Sequence, residues 1–144
     1  MNNLIYPCLW FNHEAKAAAT FYSAIFPNFK ILDENELVVV WELNGTRFMG
    51  LNGGPQFKFS EAVSFVIECA TQEEIDHYWD KLTANGGSES MCGWCKDKYG
   101  VSWQVVPQVL GTLMSDPNKR DKVVAAFMQM KKFDIQTLIQ AANG

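Results

Sequence analysis

The sequence repeats itself at an interval of 55 to 57 residues, and that interval restricts the possible folds more than any other property. Pro7 and Ser64 lie 57 positions apart, as do the aromatic pairs Phe21-Tyr22 and Tyr78-Trp79. The turn glycines Gly45 and Gly100 are 55 apart, and the segments after them, Thr46-Arg47-Phe48-Met49 and Val101-Ser102-Trp103-Gln104, match in pattern. Self-similarity at such a period marks a duplicated supersecondary unit.

Each half reads as one strand, one helix and three further strands. In the first, Ile5 to Phe11 is a compact apolar run with strand character, and Asn12 offers a helix cap. Ala15, Ala18, Phe21, Tyr22 and Ile25 then recur at helical spacing up to Pro27-Asn28. Phe29 to Leu32 and Leu37 to Leu43 follow as strands. Asn44-Gly45 favours the left-handed backbone of a tight hairpin, and Thr46 to Asn52 returns as the partner strand. Ala62 to Cys69 reopens the pattern. Thr71 with Glu74 three residues on signals a capping box, with Ile75, Tyr78, Trp79 and Leu82 on one helical face. Ser88 to Trp94 and Val101 to Val106 supply strands around the turn Asp97-Lys98-Tyr99-Gly100, and helices are expected at Val109 to Met114, Pro117 to about Phe133 and Asp134 to Ala142. The expected fold class is α+β: a single domain over 1–144, with βαβββ modules at about 1–55 and 62–107 and a C-terminal helical extension over 108–144. Two curved four-stranded sheets, each with a helix on its outer face, would leave their concave faces to enclose a cavity.

Composition narrows the function. The chain is 48% hydrophobic and 13% aromatic, ample for a packed core, while its net charge of −4 repels phosphate backbones. Its one basic cluster, Lys119, Arg120 and Lys122 with Lys131 and Lys132, reads as a solvated helix face, so no nucleic-acid partner is expected. No apolar run approaches the roughly 20 residues that span a bilayer, and the start Met1 to Pro7 lacks the pattern of a signal peptide. Cys8, Cys69, Cys92 and Cys95 are too few and too irregular for a disulfide scaffold; free thiols in a cytoplasmic protein are expected.

Several motifs together resemble a known family. Pro7-Cys8-Leu9-Trp10-Phe11 with Glu14-Ala15 and Phe21-Tyr22, then Leu51-Asn52-Gly53-Gly54-Pro55, are similar to the PhnB-like branch of the vicinal oxygen chelate superfamily. So are the run from Lys96 to Pro107 and the pairs Leu110-Gly111 and Asp116-Pro117. The superfamily includes glyoxalase, bleomycin-resistance protein and extradiol dioxygenase, and members of this branch often carry the name demethylubiquinone methyltransferase. The resemblance implies the paired βαβββ fold. Function follows from it more weakly, because isomerases, dioxygenases and non-catalytic binders share the scaffold.

Superfamily enzymes hold a divalent metal through His or Gln early in each module and Glu on each last strand. Here the resemblance puts those positions at Tyr6 or Pro7, Ser64, Met49 and Gln104. One amide and one hydroxyl fall short of what hard divalent ions or zinc require, so neither metal nor other cofactor is expected. His13 and His77 fall on helices expected outside the sheets. A methyltransferase of the common kind needs a glycine-rich strand-to-helix turn for S-adenosylmethionine. Gly53-Gly54 runs into Pro55 and a polar loop, and Gly86-Gly87 follows a helix; neither fits. Cys92-Gly93-Trp94-Cys95 is a CxxC, yet the residues after it read as a turn rather than the helix that activates redox cysteines.

A pocket remains. With Leu9 and Phe11 packing under the helix, strand alternation turns Cys8 and Trp10 into the concavity. By the same rule Gln104 shares a face with Ser102, and Trp41, Asn52 and Ser64 are further expected lining residues. Aromatics, one amide and small hydroxyls suit a flat, mildly polar organic molecule. The sequence thus describes a PhnB-like protein that binds a small molecule between its sheets without a catalytic metal. The alternative is a lyase, isomerase or dioxygenase-type enzyme with atypical metal ligands including Gln104. A pure interaction protein, a third reading, would have a filled core and no cavity. A homodimer is expected, with Val123, Val124, Phe127, Met128 and Met130 available to cover open sheet edges.

Overall fold

The structure, a computed structural model, describes residues 4–144; Met1, Asn2 and Asn3, at the head of the expected first module, lie outside them. The chain divides into two compact units, the first ending at Phe59 and the second covering Ser60–Gly144.

In the first unit the elements are β1 (Cys8–Phe11), α1 (Ala15–Ser23), β2 (Phe29–Glu34), β3 (Val38–Leu43) and β4 (Thr46–Asn52). The sheet order is β1-β4-β3-β2, with β1 parallel to β4 and the other pairs antiparallel. Asn44 and Gly45 take φ of 49° and 88°, the left-handed pair that the hairpin between β3 and β4 requires. β1 begins at Cys8 rather than at Ile5. Pro7 has no N–H to donate; its carbonyl accepts from Met49, and Leu4 and Ile5 before it are exposed.

One face of this sheet packs under α1. Leu9, Phe11, Val39, Trp41, Leu43 and Phe48 are buried there with Ala15, Ala18, Ala19 and Tyr22 of the helix. The alanines let the helix lie close, and Gly50 makes room for Trp41, whose ring a methyl group on Gly50 would meet at 2.8 Å. Burying side chains of this size contributes about 2 kcal/mol each.

The second unit repeats the order with β5 (Phe65–Cys69), α2 (Gln72–Thr83), β6 (Ser88–Glu89), β7 (Trp94–Lys96) and β8 (Ser102–Pro107), in a sheet of order β5-β8-β7-β6. The capping box forms as read: the Thr71 hydroxyl accepts the Glu74 N–H, and Glu74 accepts the N–H of Thr71. The segment expected as one strand from Ser88 to Trp94 is instead two short strands around a turn. Cys92 and Gly93 adopt φ of 59° and 81° there, which no strand can accommodate. The Asp97 to Gly100 turn closes on a buried carboxylate: Asp97 accepts from the N–H groups of Tyr99 and Val101 and from the Trp103 indole.

Three helices complete this unit: α3 (Val109–Met114), α4 (Pro117–Phe127) and α5 (Ile135–Asn143). α4 stops short of the expected Phe133 because the chain turns there, and the carbonyls of Met130 and Lys131 accept the N–H groups of Cys92 and Gly93. The Phe133 ring lies so close to Gly93 that a methyl group there would meet it at 2.4 Å. Gln72 clasps the same turn, donating to the Phe133 carbonyl and accepting from the Ile135 N–H. The extension therefore folds back on its own unit, with Val123, Phe133 and Leu138 buried.

Candidate functional site

Residues directly opposite each other on neighbouring strands share a face. In the first unit this rule, with the burial beneath α1, sends Cys8, Trp10, Val38, Val40, Met49 and Leu51 to the face away from the helix. Cys8 is exposed at its surface, and partial desolvation by its neighbours raises its thiol pKa. Trp10 is half-buried: its indole N–H donates to the Gly54 carbonyl at 2.9 Å, and its ring fills the space beside Gly53, where a Cβ would approach within 2.4 Å.

Two expected lining residues lie on the opposite face. Trp41 is wholly buried, stacked on Phe48 and beside Tyr22 under the helix. Its strand is apolar at both parities, so alternation alone left its direction open, and the space above Gly50 decides it. Asn52 shares the parity of Phe48 and Gly50 and caps α1 from across the sheet. Its Oδ1 accepts the Ala15 N–H at 2.9 Å while its Nδ2 donates to the Glu36 carbonyl. The cap expected from Asn12 is absent; Glu14 occupies the N-cap position without a capping side chain.

In the second unit Cys95, Trp103 and Val105 are buried on the α2 side. The register puts Ser88, Lys96 and Ser102 in one cross-strand row on the other face, and Trp94 with Gln104 in the next. Gln104 donates to the Ser64 hydroxyl at 3.0 Å, so two expected site residues meet in one hydrogen bond. On this face opens a cavity of about 630 Å³ lined by Glu61, Ser88, Ser90, Trp94, Lys96 and Ser102 among others. Lys96 pairs with Glu61, and that ammonium holds the Glu61 carboxyl below the usual carboxylate range.

Ser102 is 2% exposed, and its Oγ has no hydrogen-bond partner among the described residues. A buried hydroxyl left unpaired costs stability, so a ligand acceptor that reached it would recover that cost.

Of the seven residues expected to line a pocket, Ser102 is the one that lines this cavity, and the CxxC residues Cys92, Trp94 and Cys95 also border it. Lys96 escaped because it was read into the turn, although alternation from Trp94 and pairing across Gly100 with Ser102 would have placed it. Ser88 and Ser90 carried no chemical signal of their own.

The CxxC divides across the sheet. Cys92 sits on the turn with its sulfur 3.8 Å from that of Met128, while Cys95 is buried and its thiol pushed up to about 12 by burial, then by Asp97 and Glu89. Burial and Glu74 push Cys69 up to about 11. Such thiols are poor nucleophiles at neutral pH.

The family's metal positions do not fit a metal. Met49 offers a thioether and Ser64 a hydroxyl, and Gln104, which donates to Ser64 through its amide nitrogen, adds one neutral amide oxygen, too few donors for a hard divalent ion or zinc. His13, in the bend before α1, and His77, on α2, are exposed, and no group of three His, Cys, Asp or Glu is poised to ligate among the described residues.

The family described as 3-demethylubiquinone-9 3-methyltransferase matches residues 3–106. A PhnB protein of Bacillus cereus that carries the same description is similar at 30% identity and a TM-score of 0.67, covering 73% of this chain and 99% of its own. A glyoxalase/bleomycin resistance protein of Albidiferax ferrireducens shares the fold at 15% identity and a TM-score of 0.55, over 74% of this chain and 99% of that one. The fosfomycin resistance protein FosX of Listeria monocytogenes, solved with Mn(II) and sulfate, does so at 14% identity and a TM-score of 0.60, over 80% and 97%. No curated protein matches the sequence. The two βαβββ modules and the match over most of its length place the chain in the 3-demethylubiquinone-9 3-methyltransferase family, with the PhnB protein as a relative.

Proposed function

We propose that this protein binds a small organic molecule on the open face of its second sheet, without a catalytic metal. One observation carries the reading: the cavity of about 630 Å³ in which the buried Ser102 hydroxyl lacks a partner among the described residues. The volume suits a ligand of metabolite size, and the mixture of Trp94, hydroxyls and one ammonium is typical of such sites. Ser64 and Gln104 extend the polar part of this face. Cys8 and Trp10 occupy the corresponding face of the first unit.

The Mn(II) of FosX does not carry over, because a thioether, a hydroxyl and one neutral amide oxygen stand where ligands would be needed. Methyl transfer, which the family's description names, finds equally little support. S-adenosylmethionine needs open backbone at a glycine turn, yet the space at Gly53 is filled by Trp10 and Gly87 backs onto the carbonyls of Leu82 and Lys96.

A cytoplasmic homodimer fits the free cysteines and the exposed Leu4, Ile5, Val63 and Val66. Light scattering of the full chain tests the assembly; a species of 16.3 kDa at tens of micromolar would refute it.

Native mass spectrometry and metal analysis of untagged protein test the functional reading together. The expected result is a co-purifying organic molecule and substoichiometric metal. A stoichiometric divalent ion that Gln104→Ala removes would overturn it in favour of a metal-dependent enzyme.

A further inference from the structure

The cavity on the second sheet carries information about the charge of what enters it. Its floor is a row of three donors on adjacent strands: Ser88 on β6, Lys96 on β7 and Ser102 on β8. Neighbouring strands lie about 4.8 Å apart, so the three side chains rise from adjacent positions on one face. Beside the row, Trp94 presents an aromatic side chain in the cavity wall.

Two acidic residues also line the cavity, and their engagements differ. Glu89 is committed to the helix side, where its Oε2 accepts the Trp79 indole N–H at 2.7 Å. Glu61 pairs with Lys96 from the turn before β5, and its side chain is 62% exposed. A carboxylate of the chain's own thus occupies the ammonium at the cavity, held by a solvent-exposed ion pair of the kind that contributes little to stability. The Ser102 hydroxyl, in register with Lys96, has no hydrogen-bond partner among the described residues.

We infer that the cavity takes a planar organic carboxylate whose acid group replaces Glu61 on Lys96 and accepts from Ser102, while its ring lies against Trp94. The inference rests on the small-molecule reading above and gives that molecule its charge. Glu61 is an internal stand-in for the ligand: exposed enough to leave, and chemically the same group as the one that displaces it. Charge-assisted bonds to Lys96 supply affinity for the anion, and the unpaired Ser102 favours a ligand with an acceptor at that position.

Calorimetry with 2-naphthoate and its neutral analogue 2-naphthamide tests this on the full chain and on Glu61→Gln, Lys96→Met and Ser102→Ala. Removing the internal competitor should tighten 2-naphthoate by about three- to tenfold, and removing the ammonium should weaken it by about tenfold or more. Ser102→Ala should weaken it while leaving the fold intact, because the lost oxygen had no partner. 2-Naphthamide should respond little to either charge substitution. Equal binding of both probes in all proteins would overturn the carboxylate inference and leave the small-molecule reading standing. So would a Glu61→Gln protein that binds 2-naphthoate no better than the parent. Absence of 2-naphthoate binding at millimolar concentration, in the parent and in Glu61→Gln, would also overturn it; the co-purification experiment then judges the broader reading separately.

Discussion

Asn52 Oδ1 accepts the backbone N–H of Ala15 at 2.9 Å, so the first turn of α1 is capped by a residue 37 positions away. The helix has no capping side chain of its own. Asn52→Ala should therefore behave as the loss of a cap, at a cost of about 1 to 2 kcal/mol in urea unfolding. Asn52→Asp keeps the acceptor but loses the donor to the Glu36 carbonyl, and should cost less. Equal stability of Asn52→Ala and parent would remove the cap from the account.

Asp97 is 2% exposed, and its two oxygens accept from two backbone N–H groups and from the Trp103 indole. Asp97→Ala strands those donors, and should destabilise the protein by about 3 kcal/mol while shifting tryptophan fluorescence as Trp103 loses its partner. Asp97→Asn keeps one acceptor and should lose roughly half as much.

Gly93 has φ of 81° and the Phe133 ring against the space a Cβ would take. Gly93→Ala should cost about 3 kcal/mol from strain and overpacking together. Hydrogen exchange should then rise in α4 and α5, because that turn holds the extension through the Met130 and Lys131 carbonyls. Unchanged protection in both helices would show that the extension is held elsewhere.

Cys95 and Cys69 keep their protons in the folded state, with thiols pushed up to about 12 and about 11 from 9.0. A folded pKa above the unfolded one means stability is whole below pH 9 and falls as the pH rises towards the folded values, by about 1.4 kcal/mol per pH unit for each thiol. Cys95→Ala should flatten that alkaline loss. At pH 8 a thiol reagent should modify Cys8 and Cys92 in the native protein, and Cys69 and Cys95 only after denaturation.

Much of this architecture is written in the chain. The repeat, the Asn44-Gly45 hairpin and the Thr71-Glu74 capping box are local patterns with local causes, and each forms as read. The misplaced residues depend on long-range packing. Trp41 points to the helix because Gly50 and Ala15 leave room for it, and Asn52 turns there because α1 lacks a cap. Neither fact is visible within a strand. The cavity was partly hidden for a different reason: the run expected as one strand, Ser88 to Trp94, contains a turn made possible by left-handed backbone at Cys92 and Gly93. Once that turn is recognised, pairing across Asp97 to Gly100 brings Lys96 opposite Ser102 and the donor row follows.

The central claim is that a small molecule sits on the donor row of the second sheet. Amide and indole chemical-shift mapping during a screen of small planar fragments, acids and neutral compounds together, tests it most directly. The account predicts shifts concentrated at Ser88, Trp94, Lys96 and Ser102, with the Trp94 indole N–H among the largest, in metal-free protein. Fragments that perturb none of these residues, or whose shifts appear only after a divalent ion is added, would contradict it.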